Sequence, residues 1–272
     1  MTEISSFWYT PKGYKGIGLM EILTIKSWLD NGYKFHLYTY NLDDKIFLKF
    51  QELFSNFILK DANEIVPFSE YFSDDRGAGV ATFSDYFRYI LLYLRGGVWV
   101  DLDMVCLNHM DLSQEYIFNQ ETDENGIERI TNSFLKFPKN SDFGKNLIQE
   151  AKKIIDNKKN IPWGGVIGPW FLAEQVEKWN LGKYKWDYKQ TCQIPWYKVK
   201  NFIDKGQVFD EGRPCLHLFS EMWRLNKMNK NYFYKGGVYN KLLVKYKIKM
   251  LIKQIKLWEL YLRLNFPLNK LL

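Results

Sequence analysis

Two aspartates, Asp101 and Asp103, stand one residue apart directly after the apolar run Val98–Val100. In an extended chain, residues i and i+2 point to the same side and lie about 7 Å apart. Carboxylates so placed can bind one hard cation such as Mg²⁺ or Mn²⁺, which prefers oxygen ligands and commonly keeps substrate phosphates in its coordination shell. An Asp-Leu-Asp turn at a strand end is the alternative, but the helix, double glycine and strand that precede the pair favour a metal site.

A second polar group precedes the aspartates and consists of Ser84, Asp85 and Arg88. Spacings of three and four residues place side chains on one face of a helix. This face is either a fork of hydrogen-bond donors and acceptors for a polyhydroxylated ligand, or a surface Asp–Arg pair worth about 0.2–0.5 kcal/mol. Because the helix leads directly into the acidic strand, the first interpretation predicts that both groups line one crevice.

The elements that position these residues are predicted from hydrophobic periodicity and turn residues. Thr82 begins the helix, with Asp85 at the capping-box spacing, and Gly96-Gly97 ends it. The βαβα order of the first sixty residues predicts a parallel sheet with helices outside it, and such sheets bind ligands at their carboxyl edge. Strands are predicted at residues 4–9, 34–40, 57–59, 98–100, 116–119, 128–136 and 215–218. Helices are predicted at residues 21–31, 46–54, 143–156 and 170–179, with a loop at residues 69–81.

The composition is that of a globular protein, with 272 residues, 46% hydrophobic and 25% charged. It excludes disordered and collagen-like chains. We expect neither a membrane span nor a secretory signal, because there is no apolar run of about 18–20 residues and no basic leader. Three widely spaced cysteines fit neither a disulfide framework nor a zinc motif, which predicts a cytoplasmic protein.

The charge is concentrated at the carboxyl terminus. Residues 227–272 hold eleven basic side chains and one acidic side chain, a net charge of +10, whereas residues 1–226 have a net charge of −3. The tail alternates apolar residues with lysines, carries Trp258 and Tyr261, and ends its helical pattern at Pro267. It is either a basic amphipathic helix at a membrane surface or a helix packed on the body with its lysines in solvent. Nucleic-acid binding is not expected, because no recognition motif accompanies the charge.

The segment from Phe83 to Asp103 resembles the DXD-containing sugar transferases of capsule and lipopolysaccharide synthesis, which belong with the yeast initiating mannosyltransferase family. It also resembles the glucosyltransferase domains of large clostridial toxins. Shorter pieces extend the resemblance over roughly residues 1–225, in order: 4–9, 25–32, 61–63, 132–136, 165–169 and 217–223. The predicted organisation is therefore a glycosyltransferase domain, residues 1–226, followed by a basic helical tail, residues 227–272.

The resemblance implies an α/β fold of the GT-A type, a Rossmann-like mixed sheet flanked by helices. It implies a nucleotide-sugar donor, most simply a UDP-hexose, and Mn²⁺ or Mg²⁺ as cofactor. Asp103 would bind the metal directly, whereas Asp101 would touch the ribose or the metal through water. The remaining donor contacts that it implies are Asp85 and Arg88 on sugar hydroxyls, Trp8 on the base, Trp99 beside the nucleotide and Asn132 near the sugar. For Trp8 an ordinary core position, and for Asn132 a strand-end turn, are the alternatives.

The third metal ligand is expected in the segment that holds His217, Ser220 and Glu221. We favour His217, since neutral imidazole binds Mn²⁺ well, with Glu221 second and a core histidine as the alternative. Trp223 would close over the diphosphate. The resemblance also implies retention at the anomeric carbon by front-face substitution, which requires no protein nucleophile.

The expected function is a metal-dependent retaining glycosyltransferase that extends a surface glycan, capsule or lipopolysaccharide, on a lipid carrier. The basic tail would touch the inner face of the cytoplasmic membrane. Two alternatives stay open: a toxin-like transferase that acts on protein, and a catalytically silent protein that binds nucleotide sugars.

Overall fold

A computed structural model describes residues 3–157, 161–162 and 166–255, and a six-stranded sheet forms its centre. Two shorter strands form a separate antiparallel sheet. The strands are β1 (Glu3–Trp8), β2 (Lys34–Thr39), β3 (Phe57–Asp61), β4 (Val98–Val100), β5 (Met104–Cys106), β6 (Ile117–Thr122), β7 (Glu128–Lys136) and β8 (Cys215–His217). The helices are α1 (Leu19–Asp30), α2 (Lys45–Leu53), α3 (Ala81–Arg95), α4 (Asp142–Asp156), α5 (Pro169–Lys178), α6 (Ser220–Leu225), α7 (Gly237–Lys245) and α8 (Ile248–Ile255).

The main sheet is mixed and has the strand order β3-β2-β1-β4-β7-β6. The first four of these strands are parallel, whereas β7 pairs antiparallel with both β4 and β6. The chain builds outward from β1 to β3 and then returns to add β4 on the other side of β1. The strand order therefore reverses between β1 and β4, which is where open α/β sheets leave a crevice for a ligand.

Two hydrophobic clusters cover the two faces of the main sheet. One contains α1, α2, the β5–β8 sheet and the helices of the carboxyl-terminal region, and the other contains α3, α4 and α5. The mixed α/β architecture with helices outside the sheet is the one expected from the sequence. The strands and helices that the sequence predicts between residues 4 and 218 are all present, with ends shifted by between none and three residues.

The start of α3 differs from its prediction. The helix begins at Ala81, and no side chain of its own caps it. Asp74, from the preceding loop, accepts a hydrogen bond from the Thr82 backbone N–H at 2.8 Å. The predicted capping box at Thr82 and Asp85 is wrong because this distant carboxylate satisfies the orphan donor, and Asp85 is left to contact other groups.

Part of the basic tail belongs to the hydrophobic core. Apolar side chains of α7 and α8 pack in the cluster that contains α1, and the Tyr246 hydroxyl donates to the Cys106 backbone oxygen at 2.5 Å. The lysines of these helices are exposed. The predicted membrane residues Trp258 and Tyr261, and Pro267, lie outside the described residues. Within the described residues, we find no helix whose length and apolar content would let it traverse a bilayer.

Candidate active site

Arg88 is the centre of the polar group on α3. Its side chain is 4% exposed and forms ion pairs with Asp85 at 2.9 Å and with Asp101 at 3.0 Å. It also donates to the backbone oxygen of Asn132 at 2.6 Å and lies over the Trp99 ring, 4.7 Å from the centroid. The guanidinium therefore joins α3 to the end of β4 and to the middle of β7, which places the two polar groups found in the sequence in one crevice.

Asp85 is held from two sides. In addition to Arg88, the side-chain amide of Asn132 donates to the same carboxylate oxygen at 2.8 Å. Burial raises the pKa of Asp85 to about 7, against the opposing effect of Arg88, and the charge of Asp101 adds to the rise. Ser84 lies beside this group, and its hydroxyl accepts a long contact from Arg88 at 3.4 Å. The five polar groups thus form one network rather than a surface pair.

Asp101 is oriented by its neighbours while part of it stays in contact with solvent. One carboxylate oxygen accepts from the Trp99 indole N–H at 2.8 Å and from Arg88 at 3.0 Å. Its side chain is 30% exposed, whereas the Arg88 side chain is 4% exposed. Its backbone N–H donates to the Ser133 oxygen of β7, which fixes the strand end. The Asp101 carboxylate therefore faces the crevice with one side available to a ligand.

Asp103 meets His217 because β5 pairs with β8. The Met104–His217 register places the histidine ring opposite the second aspartate, with His217 Nε2 at 3.2 Å from Asp103 Oδ1. Asp103 Oδ2 accepts from the Ser220 backbone N–H at 2.7 Å, at the first residue of α6. The paired charges lower the pKa of Asp103 and raise that of His217, although burial opposes both shifts.

Asp101, Asp103 and His217 fit a divalent cation. Their ligand atoms all lie within 4.8 Å of one another. Asp103 Oδ1 is buried, and its partner is the His217 ring, whose Nε2 lies 3.2 Å away without forming a well-aligned hydrogen bond. Two carboxylates and an imidazole are a donor set that suits Mn²⁺ and Mg²⁺ with room for substrate oxygens.

Glu221 and Trp223, two further site residues expected from the sequence, make contacts other than the expected ones. Glu221 is paired with Arg76 and, at 2.6 Å, with Arg224, and it is not among the three metal-binding side chains described above. Trp223 is fully buried, and its indole N–H donates to the Leu218 oxygen at 2.8 Å. Two guanidiniums therefore occupy the Glu221 carboxylate, and the Trp223 ring is packed in the core.

Trp8 remains beside the crevice, at the carboxyl end of β1. It is partly buried, and its indole N–H donates to Thr10 at 2.8 Å. It also packs against the core cluster that contains α1, so both of the roles considered for it stay compatible with its position.

Lys230 is a residue near the site that the sequence did not indicate. Its ammonium contacts the buried carboxylate of Glu21 and lies 2.7 Å from the Ser220 hydroxyl, next to the backbone N–H that binds Asp103. It is separated from Asp103 by more than a hundred residues in a lysine-rich region, so no local pattern marks it. It contributes positive charge beside the aspartate pair.

A family model matches residues 20–124, and its description is "Glycosyltransferase sugar-binding region containing DXD motif". The match covers less than half of the chain but includes α3, β4, Asp101 and Asp103. It confirms the resemblance to DXD-containing glycosyltransferases for that region. A search of curated proteins finds no significant match to the sequence.

Solved glycosyltransferase structures share the fold. GlyE of Streptococcus pneumoniae TIGR4 aligns with a TM-score of 0.53 at 15% identity, covering 97% of this chain and 62% of that one. This chain thus spans less than two thirds of the length of GlyE. PaToxG glycosyltransferase aligns with a TM-score of 0.47 at 16% identity, covering 66% of this chain and 70% of that one. The catalytic domain of alpha-toxin from Clostridium novyi gives 0.36 at 10%, covering 90% and 72%. At 15% identity the GlyE alignment supports the GT-A type of fold.

Proposed function

We propose that this chain, which belongs with the DXD-containing glycosyltransferases through its residues 20–124, is a metal-dependent, retaining hexosyltransferase. The donor we propose is a nucleotide sugar, UDP-hexose in the simplest case. The observation that carries the proposal is the convergence of Asp101, Asp103 and His217, whose ligand atoms all lie within 4.8 Å of one another. Two carboxylates placed so close together in a partly buried crevice are costly unless a cation binds them.

The three side chains would hold Mn²⁺ or Mg²⁺, and the bound cation would neutralise the charge of the departing diphosphate. Asp103 is kept ionised by His217 and by the Ser220 N–H, and so presents a charged oxygen to the crevice. Arg88 fixes the rotamer of Asp101, which limits the conformational entropy that is lost when a ligand binds. The charge on Asp103 favours cation binding, and the fixed rotamer of Asp101 pre-organises the site.

The sugar of the donor would bind at the network of Asp85, Arg88 and Asn132. These side chains combine a carboxylate, a guanidinium and an amide within hydrogen-bond distance of one another. Such a set offers both donors and acceptors, which the hydroxyls of a hexose require. We assign Ser84 and Trp99 to supporting positions, because Ser84 contacts the guanidinium and Trp99 lies beneath it.

The acceptor that we propose is a growing surface glycan, of capsule or lipopolysaccharide, on a lipid carrier at the inner face of the cytoplasmic membrane. Support comes from the exposed lysines of α7 and α8, which form a basic surface on an otherwise slightly acidic protein. Anionic lipids attract such surfaces. Retention would follow front-face substitution, which requires no protein nucleophile.

The proposal is tested by the release of nucleoside diphosphate from a panel of UDP-hexoses. We expect turnover with Mn²⁺ or Mg²⁺, its loss with a chelator, and a fall in kcat/KM of about 10²-fold or more for Asp103→Asn, because a metal ligand is lost. Asp111→Asn is the control, since Asp111 is exposed and hydrogen-bonds only to its own turn among the contacts described. Hydrolysis that persists at full rate in the chelator, or in Asp103→Asn, would refute the proposal.

A further inference from the structure

His217 faces two different sets of side chains through its two ring nitrogens. Nε2 lies 3.2 Å from Asp103, on the side of the crevice. Nδ1 points the other way, with the Ser133 hydroxyl at 3.5 Å and the Cys192 thiol at 3.9 Å. The DXD motif explains the contact of Nε2 with Asp103, but it gives no role to the side chains near Nδ1.

Glu121, on β6, completes the second set. Ligand atoms of Glu121, Cys192 and His217 all lie within 4.8 Å of one another. Ligand atoms around a tetrahedral zinc ion are about 3.5 Å apart, so small side-chain rotations would close the set around one ion. No zinc motif is visible in the sequence, because these three residues come from β6, a loop and β8, with no regular spacing.

The chemistry of this set differs from that of the aspartate site. One thiol, one imidazole and one carboxylate suit a borderline-soft cation such as Zn²⁺, whereas two carboxylates with one imidazole suit Mn²⁺ or Mg²⁺. Arg129 stands opposite Glu121 in the β6–β7 ladder but directs its guanidinium to Asp123 at 2.8 Å. Cys192 is a free and fully buried cysteine, and Glu121 is partly exposed, which provides a path from solvent.

We propose that Glu121, Cys192 and His217 form a zinc site that competes with the Asp101–Asp103 site for His217. Binding would release the thiol proton of Cys192 and the Nδ1 proton of His217 to solvent, which leaves a thiolate and a neutral imidazole as ligands. A neutral imidazole has one nitrogen lone pair for coordination, and the other nitrogen carries the proton. Zn²⁺ on Nδ1 would therefore withdraw Nε2 from the aspartate site, so that zinc would inhibit the transferase. The competition rests on the proposed function, but the site itself does not.

The site is tested with Co²⁺, which replaces Zn²⁺ and gives a thiolate-to-cobalt charge-transfer absorption. Metal-free protein titrated with Co²⁺ should develop this absorption and saturate it at one equivalent. Cys192→Ser should abolish it, and Glu121→Gln should weaken Co²⁺ binding by about 10-fold or more. The matched control is Cys106→Ser, which removes another fully buried thiol and should keep the absorption. Far-ultraviolet circular dichroism checks that each variant is folded.

No thiolate absorption in the folded wild-type protein, or an absorption that survives in Cys192→Ser, would overturn the site. The competition is measured separately as the affinity for Mn²⁺, by electron paramagnetic resonance of free Mn²⁺. One equivalent of Zn²⁺ should lower that affinity at least about 10-fold in the wild type and leave it unchanged in Cys192→Ser. An equal effect in both proteins would overturn the competition. Neither readout depends on sugar transfer, so failure of the transferase proposal would be recognised independently.

Discussion

Arg88 dominates the electrostatics of the crevice because its single buried positive charge is shared between two carboxylates. Its guanidinium has several donors in a fixed plane, so it can bind Asp85, Asp101 and the Asn132 oxygen together. A lysine could not reproduce this arrangement, since its charge is a single point. The pair of Asp85 and Arg88, which resembles a surface pair in sequence, is thus a buried structural link.

Removal of the Arg88 guanidinium should reduce the stability of the protein. Arg88→Met should lower the free energy of unfolding by about 3–5 kcal/mol, because it leaves Asp85 buried without its partner. Adding Asp85→Asn should recover part of that loss, since the uncompensated charge is removed. Urea unfolding of the two single variants and the double variant measures the coupling.

The control for this cycle is Arg95→Met, on the same helix. Arg95 is 47% exposed and pairs with Glu64 at 3.3 Å, so its loss should cost less than about 1 kcal/mol. Equal losses for Arg88→Met and Arg95→Met would contradict the link described for Arg88.

At the scale of elements, α3 depends on the loop before it. Asp74 is buried, and it accepts from Thr82 N–H through one oxygen and from Arg76 N–H through the other. The backbone N–H of Asp74 donates to the Gly79 backbone oxygen, and this hydrogen bond connects the two sides of the loop. The helix that carries Asp85 and Arg88 therefore begins at a point fixed by a residue seven positions before its first residue.

Asp74→Ala should lower the free energy of unfolding by about 0.5–2 kcal/mol, as the loss of a helix N-cap does. Because the first turn would fray next to Ser84 and Asp85, we also expect a higher KM for the nucleotide sugar. Thermal unfolding and steady-state kinetics measure the two effects. Asp43→Ala, at an exposed loop position, is the control and should change stability by less than about 0.5 kcal/mol. Identical behaviour of both variants would show that Asp74 does not cap α3.

At the scale of the whole molecule, the carboxyl-terminal region has two faces. The buried face of α7 and α8 packs with α1 in one cluster, and Val238, Tyr239 and Leu242 are fully buried. The other face exposes lysines together with the apolar side chains Val244 and Met250. Packing on the body and contact with a membrane were alternatives in the sequence, and this arrangement makes them compatible.

The exposed lysines of this region predict binding to anionic membranes. Lys247→Gln, Lys249→Gln and Lys253→Gln, combined, should weaken binding to phosphatidylserine vesicles by about 100-fold, at about 1 kcal/mol per lysine. Donor hydrolysis and thermal stability should stay unchanged, because these side chains point away from the core. Vesicle sedimentation measures binding. The control combines Lys139→Gln, Lys145→Gln and Lys183→Gln, which are exposed on other elements; equal weakening by both triple variants would refute a dedicated membrane face.

The sequence by itself determined the α/β class of the fold, most of its strands and helices in order, and the aspartate pair at the end of β4, but it did not predict β5 or α6. These features depend on hydrophobic periodicity and on residues two to four positions apart, which the chain geometry converts directly into shared faces. The pairing of Asp85 with Arg88 was visible for the same reason.

Only the tertiary structure decided which distant residues meet these local groups. The β5–β8 register brings His217 to Asp103, whereas Glu221 is paired with two arginines and Trp223 is packed in the core. All three stand within seven residues, and no spacing rule distinguishes them. Long-range pairing depends on the whole set of buried contacts, so a short segment does not encode which of its polar side chains faces the crevice.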